Sequence, residues 1–374
     1  MFGFDKEKFQ ELFDRYERLA FSGSMLLGFI VDNLTLTRID LLFDNLVLFF
    51  YLVVAIMSIA ITNLYDTGVW RGTPDGVRLL HRIPLHARTL SPFLMQYAFG
   101  GLLSGFFVFY SRGTSLSASW PFLALLLLLL VGNEFFRTRY QQFTFQVSIF
   151  FFVLYSYMIF FVPIVVGSID VWVFLLSGVV SIIAIGALLY GFSYLMPSTK
   201  HHLGITVSAS IGGILLAVNA MYFLNILPPL PLSLKESGVY HSVLRTKDGI
   251  YVAESEDISW YAALKPYTSV HVLRGGTLYF YSAVFAPTRL AETRIVHHWE
   301  YFDESQNAWV SRSRVVFSIV GGRDGGYRGY SLKTNMESGW WRVRVETTRG
   351  QVLGQAQFTV ETVSSLPVLE KKDL

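Results

Sequence analysis

Cysteine is absent from this 374-residue chain. That excludes disulfides, thiolate metal ligands, iron–sulfur ligation and cysteine nucleophiles together. Charge is scarce as well: Asp, Glu, Lys and Arg make up 15% of the residues, against roughly 25% in an average soluble domain. The net charge of +3 is too small to imply nucleic-acid binding. There is no Walker loop, no Gly-x-Gly-x-x-Gly, no His-Glu-x-x-His, no Gly-x-Ser-x-Gly and no EF-hand pattern. No cofactor and no metal is expected, and an enzyme is disfavoured.

What is abundant is apolar: 52% hydrophobic and 16% aromatic residues, with a mean hydropathy of +0.44. The distribution is uneven. Up to Leu227 there are 13 Lys/Arg and 12 Asp/Glu; the shorter remainder holds the other 17 and 15 of the 30 and 27. A membrane region followed by a water-soluble one is the simplest reading, joined by a Pro-rich connector over residues 228–235.

Crossing hydrocarbon takes about 20 mostly apolar residues. Six stretches qualify: Leu41–Leu64, Pro92–Tyr110, Ser119–Phe136, Phe143–Gly167, Val171–Met196 and Leu203–Leu227. Leu19–Leu36, which carries Asp32, is a weaker seventh. Loop charge decides its status, because cytoplasmic loops are enriched in Lys and Arg. Seven spans with the N-terminus inside put 11 basic residues on the inner side and only Arg38 and Arg112 in the outer loops. Without the first span the two sides hold 6 and 7, and the bias vanishes. The expectation is therefore a seven-helix membrane bundle over residues 19–227. The N-terminus is cytoplasmic and residues 236–363 are periplasmic or extracellular, followed by a tail at 364–374.

Residues 1–18 show no secretory signal. Phe9, Leu12, Phe13, Tyr16 and Leu19 recur at helical spacing and suit an amphipathic helix on the inner membrane surface. Gly101 with Gly105, and Gly204 with Ser208 and Gly212, are small-xxx-small pairs that let helices approach closely. Four polar residues inside spans are candidates for function: Asp32, Glu134, Gln146 and Asn219. The two amides also suit interhelical hydrogen bonds. Arg38 and Arg112 are outer-face candidates for an anionic group such as a lipid phosphate.

Beyond residue 232 short alternating runs separated by turns predict strands at Leu278–Phe285, Arg294–Tyr301, Arg314–Val320, Trp340–Thr347 and Gln355–Glu361. Alternation is clearest in the fourth, where Trp341, Val343 and Val345 oppose Arg342, Arg344 and Glu346. An immunoglobulin-like β-sandwich is the expected architecture. Adjacent His297 and His298 would face opposite ways on a strand, which argues against a metal pair there.

A series of short motifs runs through this region. It includes Gly276-Thr277-Leu278-Tyr279-Phe280-Tyr281, His298-Trp299, Gly321-Gly322-Arg323 and Gly326-Tyr327-Arg328. Gly339-Trp340-Trp341-Arg342-Val343, Gly350-Gln351-Val352-Leu353-Gly354 and Phe358-Thr359-Val360 continue it. This series resembles the bacterial domain of unknown function family 2914, a C-terminal module often found behind membrane helices. The resemblance covers about the last third of the chain and, together with the cysteine-free exterior, implies the bacterial inner membrane and this architecture, with no activity and no catalytic residues.

Trp299, Tyr330 and Trp340 with Arg323, Arg328, Arg342 and Arg344 form an aromatic–basic set suited to sugars, anionic polymers or lipid headgroups. The leading expectation is a non-enzymatic envelope protein. Its partners would be membrane lipids and an envelope protein or polysaccharide, with no nucleic acid. The alternatives are a transporter or channel using Asp32, Gln146 and Asn219, and a membrane enzyme in which Glu134, Asp32 and Arg112 meet.

Overall fold

The computed structural model describes residues 29–36, 41–66, 85–112, 116–135, 139–195, 204–229, 231–247, 249–256, 267–287, 293–319 and 325–374. The amphipathic segment at 1–18, most of Leu19–Leu36, Arg38, His201, His202 and Arg323 lie outside the described residues. So do the side chains of Arg112 and Glu134. The chain divides into two compact units, one dominated by helices and one by strands.

Seven helices are described: α1 (residues 29–35), α2 (Leu42–Asp66), α3 (Leu85–Arg112), α4 (Leu116–Phe135), α5 (Phe143–Val166), α6 (Val171–Leu195) and α7 (Ile205–Phe223). Continuous apolar sequence favours helix because each turn satisfies its own backbone groups without water. Five stretches are long and apolar enough to cross a membrane: Leu42–Leu64, Leu90–Ser111, Phe143–Val166, Val171–Tyr194 and Ile205–Phe223. The apolar part of α4, Ser119–Asn133, is shorter, and only the last turns of the first expected span are described.

Among the five helices long enough to cross a membrane, α5 is the most buried and α7 the most exposed. Small residues position α2 against α3. A Cβ on Gly101 would stand 2.7 Å from the Tyr51 ring, and one on Gly105 would stand 2.8 Å from Leu48. Gly212 of α7, by contrast, has nothing within 4 Å of that position. The close approach expected of both motifs is found in α3 and not at Gly212.

Among its described residues the second unit contains eleven strands: β1 (Ser233–Tyr240), β2 (Ser242–Arg245), β3 (Tyr251–Glu256), β4 (Thr268–Val272), β5 (Leu278–Phe285) and β6 (Thr293–Asp303). They continue with β7 (Ala308–Ile319), β8 (Tyr327–Lys333), β9 (Gly339–Thr347), β10 (Val352–Thr362) and β11 (Leu369–Asp373). They build three sheets, ordered β4-β10-β9-β6-β7, β1-β5-β8 and β11-β3-β2. The β10–β4 pair is parallel. The layering therefore exceeds the two sheets of the expected immunoglobulin-like sandwich. The expected connector and tail are also partly strand, since β1 starts at Ser233 and β11 occupies Leu369–Asp373.

Strand β5 explains the third layer. Its even residues Leu278, Phe280 and Val284 join the core shared with Trp299, Trp341, Val343, Val345 and Phe358 of the five-stranded sheet. Its odd residues Tyr281 and Ala283 join a second core with Tyr240, Val243, Tyr251 and Ala253. A strand covered on both faces reads as a nearly unbroken apolar run, which is what Leu-Tyr-Phe-Tyr-Ser-Ala-Val-Phe is.

Candidate functional site

Strand β9 buries Trp341, Val343 and Val345 and turns Trp340, Arg342, Arg344 and Glu346 to the outer face of the five-stranded sheet. Register brings Arg342 opposite Glu300 and Arg344 opposite His298 on β6. It also brings His298 opposite Arg314 on β7. The result is a ladder of charges across three strands.

Its geometry is tight. Arg342 Nε lies 2.6 Å and Arg344 Nε 2.9 Å from Glu300 Oε2. Arg314 Nη2 lies 2.8 Å from Glu346 Oε1. Both carboxylates are almost fully covered, with side-chain exposures of 6% for Glu300 and 1% for Glu346. Burial works to raise the Glu300 pKa, but the Arg342 hydrogen bond and the Arg344 and Arg342 charges outweigh it and hold the group below the usual carboxylate range. His298 is moved the other way. Burial lowers its pKa, the neighbouring Glu346 and Glu300 oppose this, and Arg344 and Arg314 reinforce it, so the imidazole is neutral. A guanidinium can only donate, so Arg344 Nη2 donates to His298 Nδ1 at 3.0 Å. Nε2 then carries the proton and donates to Ser311 Oγ at 2.8 Å.

Aromatic side chains stand in a row at one end of the ladder. The Arg342 guanidinium sits 4.4 Å over the Trp309 ring, and Phe302 meets Trp309 at 5.2 Å. On the β4 side, Tyr267 stands edge-on to Trp340 at 4.8 Å. Strand β10 contributes Gln355 and Gln357, placed opposite Arg344 and Arg342. Their side-chain amides make no hydrogen bond among the described residues.

Residues 292–360 match the family of proteins of unknown function DUF2914. The DUF2914 match thus runs from the start of β6 to near the end of β10 and covers every member of the ladder. It begins after Gly276–Tyr281, so that motif of the expected series falls outside it. No curated protein matches the chain. Among solved structures, one match is to the Pseudomonas fluorescens alkylpurine DNA glycosylase AlkC bound to DNA containing an abasic site analog. It covers 87% of this chain and 100% of that one at 11% identity, with a TM-score of 0.22, a score too low to carry any argument.

The structure separates the aromatic–basic set expected from sequence. Trp340, Arg342 and Arg344 share the outer face. Trp299 does not: it is fully buried and donates from Nε1 to Ser331 Oγ at 3.0 Å, because the odd residues of β6 face the core. Arg328 and Tyr330 belong to β8 in another sheet, where Tyr330 packs 6.1 Å from Tyr279 and 6.3 Å from Tyr251. Glu300, Arg314 and Trp309 were not anticipated, since each is placed by cross-strand pairing rather than by its own local motif.

The polar residues of the helical unit are held by separate helix pairs. Asn63 Nδ2 of α2 donates to Gln146 Oε1 of α5 at 2.6 Å, and Gln146 Nε2 donates to the Tyr140 carbonyl at 2.6 Å. Asn219 Nδ2 of α7 donates to Tyr155 Oη of α5 at 3.2 Å. Asp32 lies beside Ser104 of α3. Gln96 and Asn133 exchange side-chain to backbone bonds at 3.1 and 3.0 Å between α3 and α4. These amides act as clamps between helices.

Two further histidine networks lie in the strand unit. His241 Nε2 and His271 Nδ1 bond the two oxygens of Glu256 at 2.9 and 2.7 Å. Burial alone would raise the Glu256 pKa, but the bonds from both histidines lower it overall. His297 is buried between sheets, with Ser282 Oγ 2.7 Å from Nε2 and Ser331 Oγ 2.9 Å from Nδ1. Among the described residues no group of three or more His, Asp or Glu is arranged to hold a metal ion.

Proposed function

We propose that this chain is a multi-pass protein of the bacterial inner membrane that presents its β region outside the cytoplasm, where it binds an envelope component. The observation that carries this reading is the outer face of the five-stranded sheet: a pre-set charge ladder edged by Trp309, Phe302, Trp340 and Tyr267. Side chains already locked by ion pairs lose little freedom when a ligand arrives.

The seven-span topology is part of the proposal. Exposed Trp172 sits at one end of α6, and exposed Tyr190 and Tyr194 sit at the other. At 1.5 Å per residue these ends lie about 30 Å apart, the thickness of a bilayer core with aromatic residues at both interfaces. A transporter reading is less well supported, because Gln146 and Asn219 are engaged in interhelical bonds rather than free to line a path.

The test is photo-crosslinking in living cells from a benzophenone amino acid at position 340. Adducts with an envelope protein or glycan are expected. A residue on the exposed edge of β11, such as Lys372, is the control. Equal labelling at both positions, or none at 340, defeats the reading.

A further inference from the structure

We infer that the occupant of this face is an uncharged polysaccharide chain, an inference that rests on the envelope-binding reading. The first argument is charge. Arg342 and Arg344 close on Glu300, Arg314 closes on Glu346, and His298 is the neutral member between them. Three guanidiniums against two carboxylates leave the ladder one net positive charge, which exposed Glu361 on the same face of β10 offsets. An anionic polymer would have to compete with almost fully covered carboxylates already at 2.6–2.9 Å. The face therefore offers oriented donors and acceptors with little field.

The second argument is surface type. Sugar rings present apolar C–H faces and equatorial hydroxyls, and need aromatic surface beside polar groups of both kinds. Trp340, Phe302 and Trp309 supply the first as a row across β9, β6 and β7 at one end of the face, with Tyr267 against Trp340. Next to that row on β10 the amides of Gln357 and Gln355, each able to donate and accept, stand beside Arg342 and Arg344. Farther along, Thr359 Oγ1 donates to Ser269 Oγ, which donates to Glu361. From β4 to β7 the face crosses four strand spacings, about 19 Å, wider than a single sugar ring and suited to a chain.

The experiment uses the full chain in nanodiscs, titrated with three probes of similar length: chitohexaose, cellohexaose and a polygalacturonate oligomer. Binding of at least one neutral hexasaccharide is expected. Its affinity should change by less than about twofold when ionic strength rises from about 50 to about 500 mM. Trp340→Ala should weaken it by about tenfold or more. Gln357→Ala, which touches no packed core, should weaken it by about threefold to tenfold, while Lys372→Ala leaves it unchanged. Binding of polygalacturonate alone with steep salt dependence would overturn the inference, as would no binding of any probe by a correctly folded chain. The crosslink at position 340 separates the two levels: protein adducts without glycan adducts sink the polysaccharide and keep the envelope-binding reading, and no adduct at all sinks both.

Discussion

His297 shows how one buried side chain makes the β region acid-sensitive. Trp299 N–H donates to Ser331 Oγ, the Ser331 hydroxyl donates to Nδ1, and Nε2–H donates to Ser282 Oγ. That chain closes only with a neutral imidazole, and burial pushes the His297 pKa down to about 3. The unfolded chain takes up this proton near pH 6.5 while the folded one refuses it. Stability from this group is therefore complete above about pH 6.5 and is lost as pH falls toward 3, by up to about 1.4 kcal/mol per pH unit. His298 is shifted in the same direction and adds to the slope, whereas Glu256 and Glu300, held low, matter only once pH falls into the carboxylate range and below. Urea unfolding of the full chain, followed by tryptophan fluorescence between pH 7 and pH 5, should show this slope. His297→Asn should be less stable at pH 7 yet flatter with pH, and an unchanged slope would refute the assignment. Gly326 poses a different constraint. Its φ is +84°, and a Cβ there would stand 3.0–3.1 Å from the β5 backbone at Ala283 and Val284, which cannot give way as a side chain could. Gly326→Ala should cost about 1–3 kcal/mol in the same assay, while Gly325→Ala, whose Cβ would meet only the end of Arg328 at 4.0 Å, should cost less than about 1 kcal/mol.

Elements differ in how well their sequences announce them, and the reason is what each strand faces. β5 is legible from Leu278 to Phe285 because cores cover both its faces. β9 is legible because its core residues alternate with charges. β11 is nearly invisible: Leu-Glu-Lys-Lys-Asp is mostly exposed and is a strand through its backbone pairing with β3. β6 misleads in another way. Its outer residues His298 and Glu300 are as buried as its core residues, so Ile-Val-His-His-Trp-Glu carries no alternation and the ladder partners of Arg342 could not be read from it. Trp299 looked suited to binding through its motif, while its parity on β6 consigns it to the core. Among helices, glycine spacing alone did not reveal packing; the neighbour decides. Gly101→Val would drive a branched side chain into the Tyr51 ring, whereas Gly212→Val meets open space. Gly101→Val should lower the thermal midpoint of the helical unit in detergent by several degrees, corresponding to about 1–3 kcal/mol of overpacking. Gly212→Val should leave it within about 1 °C. Equal effects would mean that α2 and α3 are not in contact along this face.

For the whole molecule, compartment is the property on which function turns, and the absence of cysteine makes it directly measurable, because any introduced thiol is the sole label site. Positive charge biases loops toward the cytoplasm, and the proposed seven-span topology, which divides the basic residues 11 to 2, puts the β region outside. Ser365, exposed between β10 and β11, tests one side; Lys200, in the stretch between α6 and α7, tests the other. Ser365→Cys should react with a membrane-impermeant maleimide in intact spheroplasts, and Lys200→Cys only after permeabilisation. The reverse pattern would place the β region in the cytoplasm, where an envelope polysaccharide cannot reach it. Reaction of both thiols in intact cells would mean that α7 does not separate them by a membrane. Among the described residues the two positions flank one helix long enough to cross, so their opposite labelling ties α7 to the bilayer, and the side on which Ser365 reacts gives the side of the β region.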